Sequence, residues 1–232
     1  MADTAGARSA HGYARALGIL GGTFDPIHLG HLALAHEARR ALDVERVLFV
    51  PNADPPHKDA TVTAPEHRAA MVRLALEGEP AFELSPLELE RPGPSYAVDT
   101  VAAVAERSLG EGRPEPWFVL SDEAFADLPT WREPRRILEL ARVAVAPRPG
   151  TPRVDRAWTA QHFPGLESRI TFLDGPQVDI AATEIRERVG QGQSIEGLVP
   201  DAGARYIAAH GLYRGSPPAT TPREASSGLG AP

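Results

Sequence analysis

The sequence predicts an α/β fold in which a doubly wound, mostly parallel sheet carries helices on both faces. Short apolar runs that are typical of buried strands alternate along the chain with helical patterns, and this alternation indicates βαβ units. Glycines and polar residues directly follow several of the apolar runs. Since ligands of such sheets bind outside the carboxyl ends of the strands, this order predicts a binding site along that edge.

Six apolar runs are predicted to form the strands. They cover residues 16–20, 46–50, 81–84, 117–120, 142–146 and 170–173. The first run ends in Gly21 and Gly22, and the second, RVLFV, is stopped by Pro51. Glycine and proline at these points indicate where the strands end.

Helices are predicted between these strands, where apolar residues recur at intervals of three or four. The pattern is clearest at 29–42 and 95–109, and the predicted helices are 29–42, 65–77, 95–109, 134–141, 183–189 and 202–210. Pro65 falls in the first turn of its helix, where a missing N–H group is harmless.

Length and composition predict a single domain over residues 16–214. The segments 1–15 and 215–232 lack a repeating apolar pattern and are predicted to be disordered tails. The chain has no cysteine, which excludes disulfides, thiolate zinc sites and cysteine nucleophiles. No apolar run is long enough to span a membrane, and no secretory signal is recognisable, so we expect a cytoplasmic protein.

The net charge of −7 argues against a nucleic-acid partner, because such binding requires a basic surface. It leaves nucleotide binding open, since a local cluster of cations can hold a few phosphates in an acidic protein. The sequence does not decide between a monomer and a homo-oligomer.

The segment 21–31, GGTFDPIHLGH, combines a glycine-rich turn with the start of a helix. Two glycines after a strand permit positive φ angles and close approach of a ligand. The helix N-terminus offers free N–H groups to an anion, and His28 and His31 share one face of its first turn. The pattern suits a polyphosphate. There are two alternatives to a polyphosphate site. One is a tight turn with two surface histidines, and the other is a zinc site, for which a third ligand is missing.

The same segment resembles the (T/H)xGH signature of the nucleotidyltransferase superfamily, in its nicotinate mononucleotide adenylyltransferase form. The resemblance continues in chain order over residues 17–214. It rests on VPN with PPHK at 50–58, PSY with DT at 94–100, Asp122 with LPTW at 128–131, RPG at 148–150, the segment 180–186, and the terminal pattern within 198–213.

The resemblance implies a Rossmann-like sheet of the nucleotidyltransferase type and a reaction that joins ATP to nicotinate mononucleotide, giving deamido-NAD and pyrophosphate. The phosphate of the mononucleotide would attack the α-phosphorus of ATP. Because this phosphate is already an anion, no general base is required, and catalysis comes from positioning and charge neutralisation. Mg²⁺ is implied as a companion of ATP, and no protein side chain is expected to ligate it.

The resemblance also assigns residues to the ATP side of the site. His28, His31 and Arg186 are expected to contact phosphates and to be the catalytic groups. The other implied ATP contacts are Gly21, Gly22, Thr23, Phe24, Lys58, Asp122 and Thr183. Two of these have structural alternatives, since Lys58 would otherwise be a solvated loop lysine and Asp122 a helix N-cap.

On the mononucleotide side, the resemblance assigns Ser95, Tyr96 and Trp131, with Trp131 stacking on the nicotinate ring. Without the resemblance, Ser95 would be interpreted as an N-cap and Trp131 as a core residue.

Three positions depart from the family pattern: Ala97 replaces a threonine, Leu120 a glycine and Ala181 a serine. The implied threonine helps to hold the nicotinate carboxylate, so Ala97 leaves a dual or amide preference open. Together the three changes leave open a paralogue that binds nucleotide without turnover. A superfamily member that acts on phosphopantetheine or with CTP is a further alternative, which the PSY and LPTW segments disfavour.

Overall fold

The computed structural model describes residues 14–53, 63–150 and 154–214. The part of the chain that it describes contains six parallel strands in the order β3-β2-β1-β4-β5-β6. These are β1 (Leu17–Gly22), β2 (Arg46–Pro51), β3 (Phe82–Leu84), β4 (Trp117–Ser121), β5 (Arg142–Ala146) and β6 (Ile170–Phe172). The predicted parallel sheet and all six of its strands are confirmed.

Helices connect the strands and cover both faces of the sheet. They are α1 (Leu29–Leu42), α2 (Pro65–Ala75), α3 (Ala97–Gly110), α4 (Asp122–Asp127), α5 (Pro134–Leu140), α6 (Arg156–His162), α7 (Ala182–Gly190) and α8 (Asp201–Ala209). Two short 3₁₀ turns lie at Leu128–Thr130 and Glu167–Arg169. In the ranges described, none of the helices is long and apolar enough to cross a membrane.

Each face of the sheet packs against its own set of helices. Successive side chains of a strand point to opposite faces, so neighbours along β4 belong to different cores. Trp117 and Val119 join the cluster that includes residues of α1, α2, α7 and α8. Phe118 and Leu120 join the cluster that includes residues of α3, α4 and α5. The predicted doubly wound arrangement is therefore confirmed.

The sheet opens at its centre, where the strand order changes direction. β1 pairs with β4 at Gly18↔Trp117 and Ile19↔Phe118, whereas β1 stays paired with β2 as far as Gly22↔Pro51. The carboxyl ends of β1 and β4 thus diverge while each keeps its outer neighbour. A crevice forms between them, at the position where parallel sheets of this kind bind ligands.

Two helices were not predicted. Asp155 accepts a hydrogen bond from the Trp158 backbone N–H at 2.8 Å and so caps α6, a helix too short to show a clear apolar period. Helix α4 is capped by Ser121, whose hydroxyl accepts from the Ala124 N–H at 3.2 Å. The predicted tail 215–232 and residues 1–13 of the predicted tail 1–15 lie outside the described residues.

Candidate active site

A cavity of about 710 Å³ lies in the crevice between β1 and β4. This volume is within the usual range for small-molecule and cofactor sites. Its walls come from the ends of β1, β4 and β5 and from the starts of α1, α3 and α7. The lining includes most of the predicted site residues, namely Gly21, Gly22, Thr23, Phe24, His28, His31, Ser95, Tyr96, Trp131, Thr183 and Arg186.

The turn after β1 obtains its shape from Phe24 rather than from the glycines. Phe24 has a φ of +50°, whereas Gly21 and Gly22 end the strand without entering the positive-φ region. The positive φ angles that these glycines permit are therefore not adopted. Glycine is required at 22 for space, because a Cβ there would lie 3.3 Å from the Phe24 ring. Gly21 is exposed, and its missing side chain leaves the β1 backbone open to the cavity.

His28 and His31 meet at the start of α1, as predicted. Their rings stack with centroids 3.6 Å apart, and the backbone N–H of His28 donates to Nδ1 of His31 at 3.2 Å. An Nδ1 that accepts a hydrogen bond carries no proton, so the proton of neutral His31 resides on Nε2. His31 therefore offers an N–H donor at the cavity.

The ring of His28 is only 8% exposed, and its Nδ1 is buried without a hydrogen-bond partner among the described residues. Burial, assisted by the positive charge of Arg148, lowers the pKa of His28 from 6.5 to about 4. His28 is thus a neutral imidazole at neutral pH, with an unsatisfied polar atom at the cavity wall.

This depressed pKa predicts a pH dependence of stability. Between pH 6.5 and 4 the unfolded chain binds a proton at His28 that the folded chain does not, so the free energy of unfolding falls as pH falls through this window. The loss is at most about 3 kcal/mol. Urea titrations of the wild type and of His28→Asn at several pH values measure it, because the variant retains the other titrating groups. Parallel pH profiles for the two proteins would contradict the prediction.

Gly30 provides the space in which His28 packs. A Cβ at position 30 would lie 3.0 Å from Nδ1 of His28, closer than nearly all real Cβ contacts. We expect Gly30→Ala to displace the imidazole and to raise the KM for ATP several-fold, although alanine favours helix by about 1 kcal/mol over glycine. Steady-state kinetics with Gly190→Ala as the control, a helical glycine outside the cavity lining, test this. An unchanged KM for ATP in Gly30→Ala would contradict it.

Arg186 joins α7 to the turn after β1. Its Nη1 donates to the backbone oxygen of Asp25 at 2.8 Å, and its Nη2 lies 3.3 Å from the Thr183 hydroxyl. The side chain of Asp25 is also held by the segment that follows α8, where the Tyr213 hydroxyl donates to its Oδ1 at 2.6 Å. Burial and this hydrogen bond raise the pKa of Tyr213. The predicted pair Thr183 and Arg186 thus lies beside the two histidines.

Arg68 supports the same turn and was not predicted. It is fully buried and donates to three backbone oxygens: those of Thr23 at 2.7 Å, Thr63 at 3.1 Å and Ala53 at 3.2 Å. Ala53 and Thr63 flank the segment 54–62, which carries Lys58. Arg68 therefore links both flanks of that segment to the turn after β1. An arginine within an otherwise apolar helical stripe (Ala69, Met71, Val72) was the available signal in the sequence.

The opposite end of the cavity is aromatic. Tyr96 and Trp131 both line it, and Trp131 packs edge-on against Phe118 with centroids 6.3 Å apart. Trp131 is half-buried, so its interpretation as a core residue is wrong. Ser95 is not an N-cap, because Tyr96 occupies that position of α3, and the Ser95 hydroxyl instead accepts from the Ala53 N–H at 3.1 Å.

Comparison with known proteins identifies the family. The family model for cytidylyltransferase-like proteins matches residues 19–188. A relative from Roseiflexus sp. (strain RS-1) that is named a nicotinate-nucleotide adenylyltransferase is 48% identical over 199 residues, which cover 85% of this chain and 98% of the relative. A relative of the same name from Thermomicrobium roseum is 44% identical over 211 residues, covering 89% and 97%. The chain belongs to the nicotinate-nucleotide adenylyltransferase family.

Solved structures of the family share the fold. The nicotinic acid mononucleotide adenylyltransferase of Plasmodium falciparum, solved in complex with NaAD, superposes with a TM-score of 0.70 at 18% identity. The match covers 87% of this chain and 98% of the other. A structure from Vibrio parahaemolyticus, described as a nicotinate-nucleotide adenylyltransferase, gives a TM-score of 0.61 at 16% identity over 88% and 97% of the chains.

The side chain of Asp122 is 2% exposed in the first turn of α4. Its neighbours Ser121 and Glu123 line the cavity, whereas Asp122 is not among the lining residues. The ribose contact that the resemblance implies for Asp122 stays a prediction. The alternative N-cap role is wrong, because Ser121 is the N-cap. Lys58 lies outside the described residues.

The three residues that depart from the family sequence pattern differ in how they are placed at the cavity. Leu120 is 5% exposed and packs into the core on the α3 face, and it also forms part of the cavity wall. Ala181 is the N-cap of α7 and makes no side-chain cap. Ala97 begins α3 at the aromatic end of the cavity. The strand thus accommodates Leu120, whereas Ala97 and Ala181 each leave the cavity wall without a hydroxyl.

Proposed function

We propose that this chain transfers the adenylyl group of ATP to nicotinate mononucleotide and releases pyrophosphate, forming deamido-NAD. One observation carries the proposal: a single cavity holds His28, His31 and Arg186 at one end and Tyr96 and Trp131 at the other. The first set suits polyphosphate and the second suits a flat heteroaromatic ring. The relatives' shared name supports the same reaction.

In this reaction a phosphate oxygen of the mononucleotide forms a bond to the α-phosphorus of ATP. The bond between the α-phosphorus and the bridging oxygen to the β-phosphorus breaks, and the electron pair leaves with pyrophosphate. The attacking oxygen is already anionic, so no group on the protein needs to remove a proton. The chain's contribution is to align the two phosphates and to stabilise negative charge that develops on the leaving group.

The phosphate end of the cavity suits this task. The Nε2–H of His31 and the guanidinium of Arg186 are donors for the triphosphate, and hydrogen bonds to such charged oxygens are stronger than neutral ones. His28 is neutral in the free protein, and bound phosphate would satisfy its buried nitrogen through a proton on the ring. Lys58, predicted as a further cation for the triphosphate, remains part of the proposal.

A divalent cation, Mg²⁺ in our proposal, would arrive with ATP rather than reside in the protein. Within residues 14–53, 63–150 and 154–214, no group of three or more His, Asp or Glu side chains could hold a metal ion. Mg²⁺ commonly binds through substrate phosphates with few protein ligands and keeps several waters. Bound in this way, it would neutralise charge on the β- and γ-phosphates.

A pyrophosphate-release assay with ATP, Mg²⁺ and each of the two pyridine mononucleotides tests the proposal. We expect release with nicotinate mononucleotide and slower release with nicotinamide mononucleotide. Each reaction is compared with a control that lacks the mononucleotide. Tight ATP binding with no release in either case would instead indicate a paralogue that binds nucleotide without turnover.

A further inference from the structure

The aromatic end of the cavity contains a cation that the family pattern did not assign. The guanidinium carbon of Arg132 lies 4.7 Å from the centroid of the Tyr96 ring, a cation–π distance, and Arg132 lines the cavity next to Trp131. The described lining contains two other arginines. Arg148 follows β5, and Arg186 lies in α7. Among the cations of the described lining, Arg132 is thus the one at the ring end. Arg91, whose Nη1 lies 3.4 Å from the Thr100 hydroxyl, is outside that lining.

The side chain of Arg132 makes only weak contacts within the protein, so it is available to bind a ligand. Its Nε lies 3.6 Å from Glu133, but both side chains are more than half exposed, and such surface pairs contribute little. The stack on Tyr96 orients the guanidinium while leaving its N–H groups at the rim of the ring. A planar guanidinium can bind a carboxylate through two parallel hydrogen bonds.

The same end of the cavity also contains a carboxyl group. Glu88 is 5% exposed and lines the cavity, and its Oε1 accepts from the Thr100 hydroxyl at 2.6 Å. Its Oε2 is buried without a hydrogen-bond partner among the described residues. The carboxyl group of Glu88 offers a substrate carboxylate no favourable charge, whereas a cation at this end favours a carboxylate over a neutral carboxamide.

We propose that the guanidinium of Arg132 pairs with the carboxylate of the nicotinate ring and thereby selects the acid mononucleotide over the amide. The inference rests on the proposed function, since it concerns the ring of that substrate. In this chain Ala97 provides no hydroxyl beside the ring, so the charge on Arg132 carries the discrimination. The phosphate and ribose contacts are common to both mononucleotides and cancel when the two are compared.

The test is the ratio of kcat/KM for nicotinate mononucleotide to kcat/KM for nicotinamide mononucleotide. We expect Arg132→Met to lower this ratio about tenfold, mainly through a higher KM for the acid, as for loss of one charged hydrogen bond. Arg132→Lys should retain part of the preference, because it keeps the charge without the planar fork. Arg136→Met is the matched control: Arg136 is 54% exposed, as is Arg132, pairs with Glu139, and lies outside the cavity lining.

A second measurement needs no variant. The preference of the wild type for the acid should fall as salt rises from about 0.05 to 0.5 M, because ions screen an exposed pair. An unchanged ratio in Arg132→Met would overturn the proposal, because selection would then come from groups that the variant retains, such as backbone N–H groups near the ring. The same loss in Arg136→Met would also overturn it. Wild-type turnover tests the proposed function separately, so the two failures are distinguishable.

Discussion

Replacement of His31 by alanine is expected to lower kcat for pyrophosphate release by about two to three orders of magnitude, as for loss of one transition-state donor. The physical reason is the fixed tautomer: Nδ1 accepts from the His28 N–H, so Nε2 carries the proton that would be donated to a phosphate oxygen in the proposed reaction. Alanine removes this donor. Single-turnover kinetics with saturating ATP and nicotinate mononucleotide measure the loss at the chemical step.

Alanine also removes the acceptor that caps the turn, and His31→Asn separates the two effects. An asparagine oxygen can still accept from the His28 N–H, but the variant lacks the ring N–H at the cavity. We expect Asn to retain more stability than Ala and to lose a comparable factor in kcat. His36→Ala is the matched control, because His36 lies on the same helix and pairs with Glu79 at 3.4 Å. Near-wild-type kcat in His31→Asn would limit His31 to a structural role.

Replacement of Arg68 by methionine is expected to reduce the free energy of unfolding by about 3 to 5 kcal/mol. Three carbonyl groups lose their partner together, and a buried polar group left unsatisfied costs on the order of 1–3 kcal/mol. The cost is below a simple sum because the segments can relax and admit water. Urea denaturation measures it, and Arg73→Met on the exposed face of α2 is the control, expected to change stability by less than about 0.5 kcal/mol.

The same variant has an expected kinetic signature. Arg68 holds the Thr23 carbonyl and both flanks of the segment that carries Lys58, so its loss should raise the KM for ATP more than the KM for the mononucleotide. Arg68→Lys should show the same trend, since an ammonium group cannot reach three separate oxygens with the geometry of a guanidinium. If the variant loses stability with both KM values unchanged, Arg68 supports the fold without positioning the phosphate turn.

The sequence was sufficient to predict the sheet, because strand and helix patterns alternate along most of the chain and glycine or proline ends the early strands. It was also sufficient for the meeting of His28 with His31, although His28 is the extended N-cap of α1 and the contact includes its backbone N–H. It was insufficient for Phe24, whose positive φ is imposed by burial of its ring under Gly22. No local preference of phenylalanine predicts that conformation.

Tertiary contacts explain the other differences. Aspartate and serine both favour the N-cap position, so the sequence alone does not choose between Asp122 and Ser121. Strand β4 ends at Ser121, which therefore occupies the N-cap, and Asp122 is buried in the first turn of α4. Ser95 likewise bonds the Ala53 N–H across 42 residues rather than its own helix. The role of Arg68 depends on three segments distant in the chain. Such pairings cannot be read from the spacing of residue types.

Labelled ATP tests directly whether the protein transfers the adenylyl group of ATP to nicotinate mononucleotide. ATP labelled at the α-phosphorus and ATP labelled at the γ-phosphorus are incubated separately with the protein, Mg²⁺ and nicotinate mononucleotide, and the products are separated. We expect the α-label to appear in deamido-NAD and the γ-label in pyrophosphate, in equal molar amounts. Transfer of the γ-label to the mononucleotide, or release of labelled inorganic phosphate without a dinucleotide, would contradict adenylyl transfer at this cavity.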